Sequence, residues 1–443
     1  MSKHYIGNKI SGKVGYDNKL FKPNKMIFPN TKALAYYNFY SQTIMLNSIE
    51  QKDVILLNNA ANNYNKFEAE KNIYTLYYHE ASHWLDHTST YWGVRLLGEI
   101  YSMSENLLRI QKGLLKEKEF HDIKKFINKI ELIHFPKYYS TVQQKSIKDN
   151  VWGMKETVGR LYDVHGQISE HPIFFINFNN TAGNIARQPF SLASILEMSA
   201  VAQEISFTEL KLKSLLTPDE QLIEAKLYKK EIEKILLSPE LTTYSVSAHY
   251  TANYFNLTDA FETYKICAVL GRFVLNFPND FFDKLNVTDV AQVYREHYKK
   301  AFTYKDRGAL FNFLVRVIAS KAEKRVTYKD IVDLVSDYFQ QSNISLTEMY
   351  DVVLHEIKTV YSSPTMKYYN GHIENISINN FEILGLFGSA EYHSFDVILP
   401  DCILGDDYIL SPYGLTDPFL EIRHSKMCDI EMMMKEFSEA CIV

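Results

Sequence analysis

Tyr77-Tyr78-His79-Glu80-Ala81-Ser82-His83-Trp84-Leu85-Asp86-His87 is the stretch on which the reading of this 443-residue chain turns. It contains one uninterrupted His-Glu-x-x-His. On an α-helix, residues four apart lie one above the other on the same face. His79 and His83 therefore present two imidazole nitrogens to a single divalent ion, and Glu80 sits beside them within reach of a water on that ion. Two ligands, a general base and room for a third ligand are the parts of a zinc hydrolase. The flanks predict the helix: Phe67 to Asp86 contains neither Gly nor Pro, and Ile73, Leu76, Tyr77, Trp84 and Leu85 suit a helix buried around much of its girth. Thr88-Ser89-Thr90 is its expected stop. The plain alternative is a buried helix with two hydrogen-bonded histidines and no metal.

Working outward, the length predicts two or three subdomains, and 46% hydrophobic with 14% aromatic residues predicts a globular protein. A net charge of −5, from 48 basic and 53 acidic residues, provides no basic field, so no nucleic-acid partner is expected. Cys267, Cys402, Cys428 and Cys441 show no paired spacing, which argues against a cysteine-based zinc site and a disulfide framework. No apolar run reaches membrane-spanning length, so no membrane partner is expected. The first residues lack the apolar core of a signal peptide, so the expected location is cytoplasmic, with signal-less export also compatible.

The expected fold class is α+β, predominantly α. Residues 1–30 read as an N-terminal arm, 31–205 as the metal-binding core, 206–362 as a helical domain and 363–443 as an irregular C-terminal cap. Within the core, Ala33 to Tyr37 and Thr43 to Leu46 read as short strands joined by a turn in Asn38 to Gln42. Val94 to about Glu119 reads as one long helix and a second runs through Ile133. Pro172 to Phe178 is the clearest strand, and Thr181 to Asn184 a turn. Ser191 is a good N-cap for a helix from Leu192 to about Ile205. Helices are then expected from Pro218 to Leu237 and near 258–275, 288–302, 307–322, 328–339 and 346–361. In the cap only Asp429 to Ala440 reads as helical.

A catalytic zinc usually takes three protein ligands and a water. His87 continues the ladder from His83, but three residues on one straight helix drift around its axis and do not converge on one ion. Asp86 is better placed to accept a hydrogen bond from an imidazole N–H, or to lie at the surface. Glu99 is a candidate if the chain turns back tightly after Thr88. Glu197 is the first choice: it lies in Ala193-Ser194-Ile195-Leu196-Glu197-Met198-Ser199-Ala200, where a carboxylate must be buried and needs a cation or hydrogen bonds. The small residues around it also let two helices approach closely. Glu204, two turns on along the same face, is an alternative ligand or a group that orients a histidine. For the oxyanion, His249 and Tyr250, with Tyr244 and Tyr254 nearby, form a polar-aromatic cluster.

His79-Glu80-x-x-His83 resembles the zincin metallopeptidases, and a downstream Glu makes the pattern look gluzincin-like. The phrases His79 to Thr90 and Arg187-Gln-Pro-Phe-Ser191 with Leu196-Glu197 and Ala200 look similar to uncharacterised bacterial proteins of this kind; the resemblance covers residues 33–205 at most. It implies a zincin-like core with short strands ahead of the metal helix, Zn²⁺ on His79, His83 and Glu197, and Glu80 as base. His83 and Glu197 stand further apart than the compact gluzincin spacing, which keeps Glu99 open. The expected function is zinc-dependent hydrolysis of a peptide or protein. Two alternatives stand beside it: a helical binding protein with an inactive core, whose helical region recognises a protein partner, and a toxin or defence effector peptidase.

Overall fold

The computed structural model describes residues 34–440, apart from 114–115, 145–151, 163–165, 323–325, 363, 390, 393–395, 413–416 and 418–419; at 111, 364–372 and 422 only the backbone is described. The chain opens with the hairpin β1 (Tyr36–Asn38) and β2 (Thr43–Leu46), then α1 (Gln51–Asn58), α2 (Asn63–Thr88), α3 (Tyr91–Gln111) and α4 (Glu117–Glu131). Four strands follow, β3 (Thr141–Val142), β4 (Gly153–Tyr162), β5 (Ile168–Asn180) and β6 (Gly183–Pro189). Then come α5 (Leu192–Leu215), α6 (Pro218–Leu236), α7 (Thr242–Phe255), α8 (Ala260–Asn276), α9 (Gln292–Thr303), α10 (Arg307–Lys321), α11 (Tyr328–Gln341), α12 (Leu346–Tyr361) and α13 (Pro364–Leu384). The strands β7 (Cys402–Leu404) and β8 (Ile409–Leu410) precede α14 (Leu420–Ala440). The α+β, predominantly α class is therefore the one observed.

Two small sheets flank the helices. The first, in the order β1-β2-β7-β8, is antiparallel except where β2 runs parallel to β7, Ile44 opposite Cys402. The second, β3-β6-β5-β4, is antiparallel throughout. One hydrophobic cluster extends from Ala35 to Met434, so both sheets and the helices between them share a core. α2 and α5 pack along each other through its middle.

Local chemistry fixes the two helices that matter most. α2 starts where the Asn62 side chain accepts from the Asn65 amide at 2.8 Å, satisfying one orphan donor of the first turn. It ends at Thr88, and only Ser89 and Thr90 separate it from α3, whose Gly93 amide is capped by the Thr90 hydroxyl at 3.0 Å. That corner requires glycine: a Cβ on Gly93 would stand 2.1 Å from the Asp86 carbonyl oxygen. α5 begins at a capping box in which Ser191 and Ser194 each bond the other's amide at 3.1 Å. Ala193, Ser194, Ser199, Ala200 and Ala202, all buried, keep the surface of its first half low.

Several expectations needed correction. The first of the two helices expected between Val94 and Ile133 ends at Gln111, short of Glu119, and the second, α4, already starts at Glu117. β4, β6 and α7 were not anticipated, and α5 runs ten residues beyond Ile205. The stretch expected to be an irregular cap holds two long helices, α13 and α14, and two strands of the first sheet. The expected arm at 1–30 lies outside the described residues, as does Cys441.

Candidate metal centre

The last turns of α2 carry His79, Glu80 and His83, all buried. Their imidazoles meet edge to face, ring centres 5.1 Å apart. α5 lies across that face and delivers Glu197 to it. The Glu197 Oε2 stands 3.3 Å from His79 Nε2 and 3.6 Å from His83 Nε2. One ligand atom from each of the three residues lies within 4.8 Å of the others. Nitrogen and oxygen donors bound at 2.0–2.1 Å to a tetrahedral ion stand about 3.3 Å apart. The separations to the carboxylate thus match the edges of a tetrahedron of zinc ligands, and the donor set of two imidazoles and one carboxylate is one that zinc takes.

Glu204, two turns further along α5, holds His79 from behind, its Oε1 2.5 Å from Nδ1. With Nδ1–H donated to Glu204, Nε2 is the nitrogen on the Glu197 side, the one that would bind an ion once it gives up its own proton. Of the two positions considered for Glu204, it occupies the one behind His79 and is not one of the three residues whose ligand atoms converge. Burial alone would pull the His79 imidazole down, but the hydrogen bonds to Glu197 and Glu204 outweigh it and push it up to about 10. Glu197 itself is held well below the usual carboxylate range against the effect of burial, with the imidazoles of His79 and His83 among the groups that lower it. Such a cluster of buried carboxylates calls for positive charge.

Glu80 is 6% exposed and makes no hydrogen bond or ion pair with any described residue. Its charge acts on His79 through space. A carboxylate that bonds to no neighbour beside two imidazoles is a free acceptor, as chemistry on a water requires.

The remaining candidates lie elsewhere. Glu99, on α3, is bound to Lys129 at 2.6 Å and is partly exposed. Asp86 faces Arg272 of α8 at 3.3 Å and bridges to it instead of to an imidazole. His87 meets the hydroxyl of Tyr37 at 2.8 Å and packs against Phe39, pinning the hairpin to α2 one turn past His83; burial pushes its imidazole down to about 3. His249 donates from Nε2 to the Leu236 carbonyl and stacks on Trp152. Tyr250 is buried against Phe190 and Tyr254. Neither touches the three residues of the centre, whereas Tyr244 of the same cluster has its ring centre 6.2 Å from that of His79. It sits in the first turn of α7, a helix that packs on α5.

No helix among the described residues is long and apolar enough to cross a membrane. No protein-family model matches the chain, and no curated protein or solved structure is significantly similar to it.

Proposed function

We propose that this protein is a zinc-dependent hydrolase of amide bonds, a peptidase acting on a peptide or protein, with a zincin-like core. The observation that carries the reading is the meeting of His79 and His83 Nε2 on one carboxylate, with Glu80 buried and unpaired alongside. His79, His83 and Glu197 would hold the ion. When bound, zinc supplies a Lewis acid for the scissile carbonyl and lowers the pKa of a water towards neutrality. Glu80 accepts the proton of the attacking water and returns it to the leaving nitrogen. Glu204 keeps His79 in the tautomer that exposes Nε2. Tyr244 supplies a hydroxyl to the oxygen on which negative charge develops. A cytoplasmic location belongs to the same reading.

The test uses the purified full-length chain: metal content by mass spectrometry, then digestion of a mixed peptide library. About one zinc per chain is expected, with cleavage that stops on chelation and returns with added zinc. His79→Ala must abolish binding, and Glu80→Gln must keep the zinc while losing cleavage. Absence of bound zinc overturns the reading, and zinc with no cleavage of any peptide favours the binding-protein alternative.

A further inference from the structure

Away from the metal centre, a cavity of about 300 Å³ opens between the start of α3, the end of α4 and the corner joining α9 to α10. That volume falls at the lower end of the range for small-molecule sites. None of His79, Glu80, His83 or Glu197 lines it. Much of its wall is apolar, built from Trp92, Leu96, Leu132, Ile133 and Phe135. Its other permanent cations are matched, Arg95 with Glu356, Lys129 with Glu99 and Lys305 with Asp283, and the His171 ring meets Asp306 Oδ2 at 2.9 Å.

Arg307 is the exception. It is 8% exposed, and its guanidinium has no carboxylate within ion-pair distance among the described residues. One end donates to the Phe277 carbonyl at 2.9 Å and makes long contacts to Asn279 Oδ1, while Nε has no hydrogen-bond partner among the described residues. Burial pushes the group down to about 10, more than Tyr91 and Asp306 nearby can offset. A guanidinium remains charged at any physiological pH, so a buried one without an anion is left to be neutralised by a ligand.

We propose that this cavity binds a small monocarboxylic acid with an apolar body, its carboxylate seated on Arg307. The count of charges selects the class. One unmatched positive charge balances one carboxylate, whereas a phosphate monoester would bring close to two negative charges. The planar fork of arginine suits a carboxylate, and the aromatic and aliphatic wall suits a hydrocarbon body.

Calorimetric titration of the full-length protein with 3-phenylpropionate tests this, alongside 3-phenylpropionamide and phenyl phosphate. Saturable binding of one acid per chain is expected, at least tenfold weaker for the amide and for the phosphate. Arg307→Gln should weaken the acid at least tenfold. Should that variant fail to fold, Leu132→Trp decides, since a half-buried wall residue enlarged into the cavity must displace the ligand. No binding of the acid, equal binding of the amide, tighter binding of phenyl phosphate, or unchanged binding in Leu132→Trp each overturns the proposal.

Discussion

Arg272→Met probes how the end of the His-Glu-x-x-His helix is held. Arg272 and Asp86 are each 1% exposed and lie 3.3 Å apart. The same guanidinium donates to the Ser89 carbonyl at 2.7 Å, the Ser89 hydroxyl at 3.1 Å and the Leu85 carbonyl at 3.4 Å. It thus caps the carbonyl end of α2, where the helix dipole favours a cation. Removing the cation strands a buried carboxylate, at a cost of roughly 3–5 kcal/mol, and leaving the Ser89 carbonyl unbonded adds about 1–3 kcal/mol. A loss on the order of 5 kcal/mol is a large share of the roughly 5–15 kcal/mol that keeps a domain folded. The loss must also depend on pH. Burial holds the Asp86 carboxyl above its ordinary value even beside Arg272, and without that cation it rises further. An acid whose folded pKa is raised binds more protons folded than unfolded between the two values, so stability falls as pH rises through that window. Urea unfolding at pH 5 and pH 8, followed by circular dichroism, should therefore show the larger deficit at pH 8. Asp86→Leu combined with Arg272→Met should recover part of it, because no charge is then stranded. A single-variant loss under about 1 kcal/mol, a deficit independent of pH, or a double variant no better than the single would refute the reasoning.

Three further outcomes are expected at the centre itself. Glu80→Gln should bind zinc as the parent does yet lose roughly 10²–10⁴-fold in kcat, measured on a cleaved reporter peptide. Glu204→Gln should weaken zinc about 10–100-fold in competition with a fluorescent chelator, because His79 loses the acceptor that sets its tautomer. Tyr244→Phe should lower kcat by about 10²–10³-fold with little change in KM, whereas His249→Ala should leave kcat near that of the parent once folding is verified.

The parts of the site that sequence exposes are those whose chemistry is local. Two histidines one helical turn apart advertise a shared face regardless of what packs on them. Glu197 was legible because its neighbours are too small and apolar to tolerate an unmatched charge, and Ser191 announced the helix that carries it. The helix that carries Tyr244 was hidden for a physical reason. Thr242-Thr243-Tyr244-Ser245-Val246-Ser247 is rich in β-branched and hydroxyl side chains that favour helices weakly, so α7 draws its stability from packing on α5 and β6. β4 was hidden because it is only half-buried along its length, with Lys155, Glu156 and Arg160 blurring any alternation, while its partner β5 is covered and reads as an apolar run. The parallel pairing of β2 with β7 joins segments from opposite ends of the chain, and no local pattern encodes such a contact.

Asp86 shows a related limit: its distance from His83 in sequence suits a helper of the imidazole, but the group that reaches it, Arg272, comes from another helix. The correct helper, Glu204, was visible through a different regularity. Residues seven apart return to the same face of a helix about 10 Å further along its axis. An imidazole lying across that face therefore has one carboxylate available at each of its nitrogens, Glu197 at Nε2 and Glu204 at Nδ1. The pair acts as a clamp: moving α5 by one residue along α2 would rotate both acids off the ring together. The crossing of α2 and α5 is thus fixed by the site as well as by packing. That explains why small residues cluster around Glu197, where the two backbones must come closest, and why larger ones such as Phe207 and Leu212 return once the helix has passed Glu204.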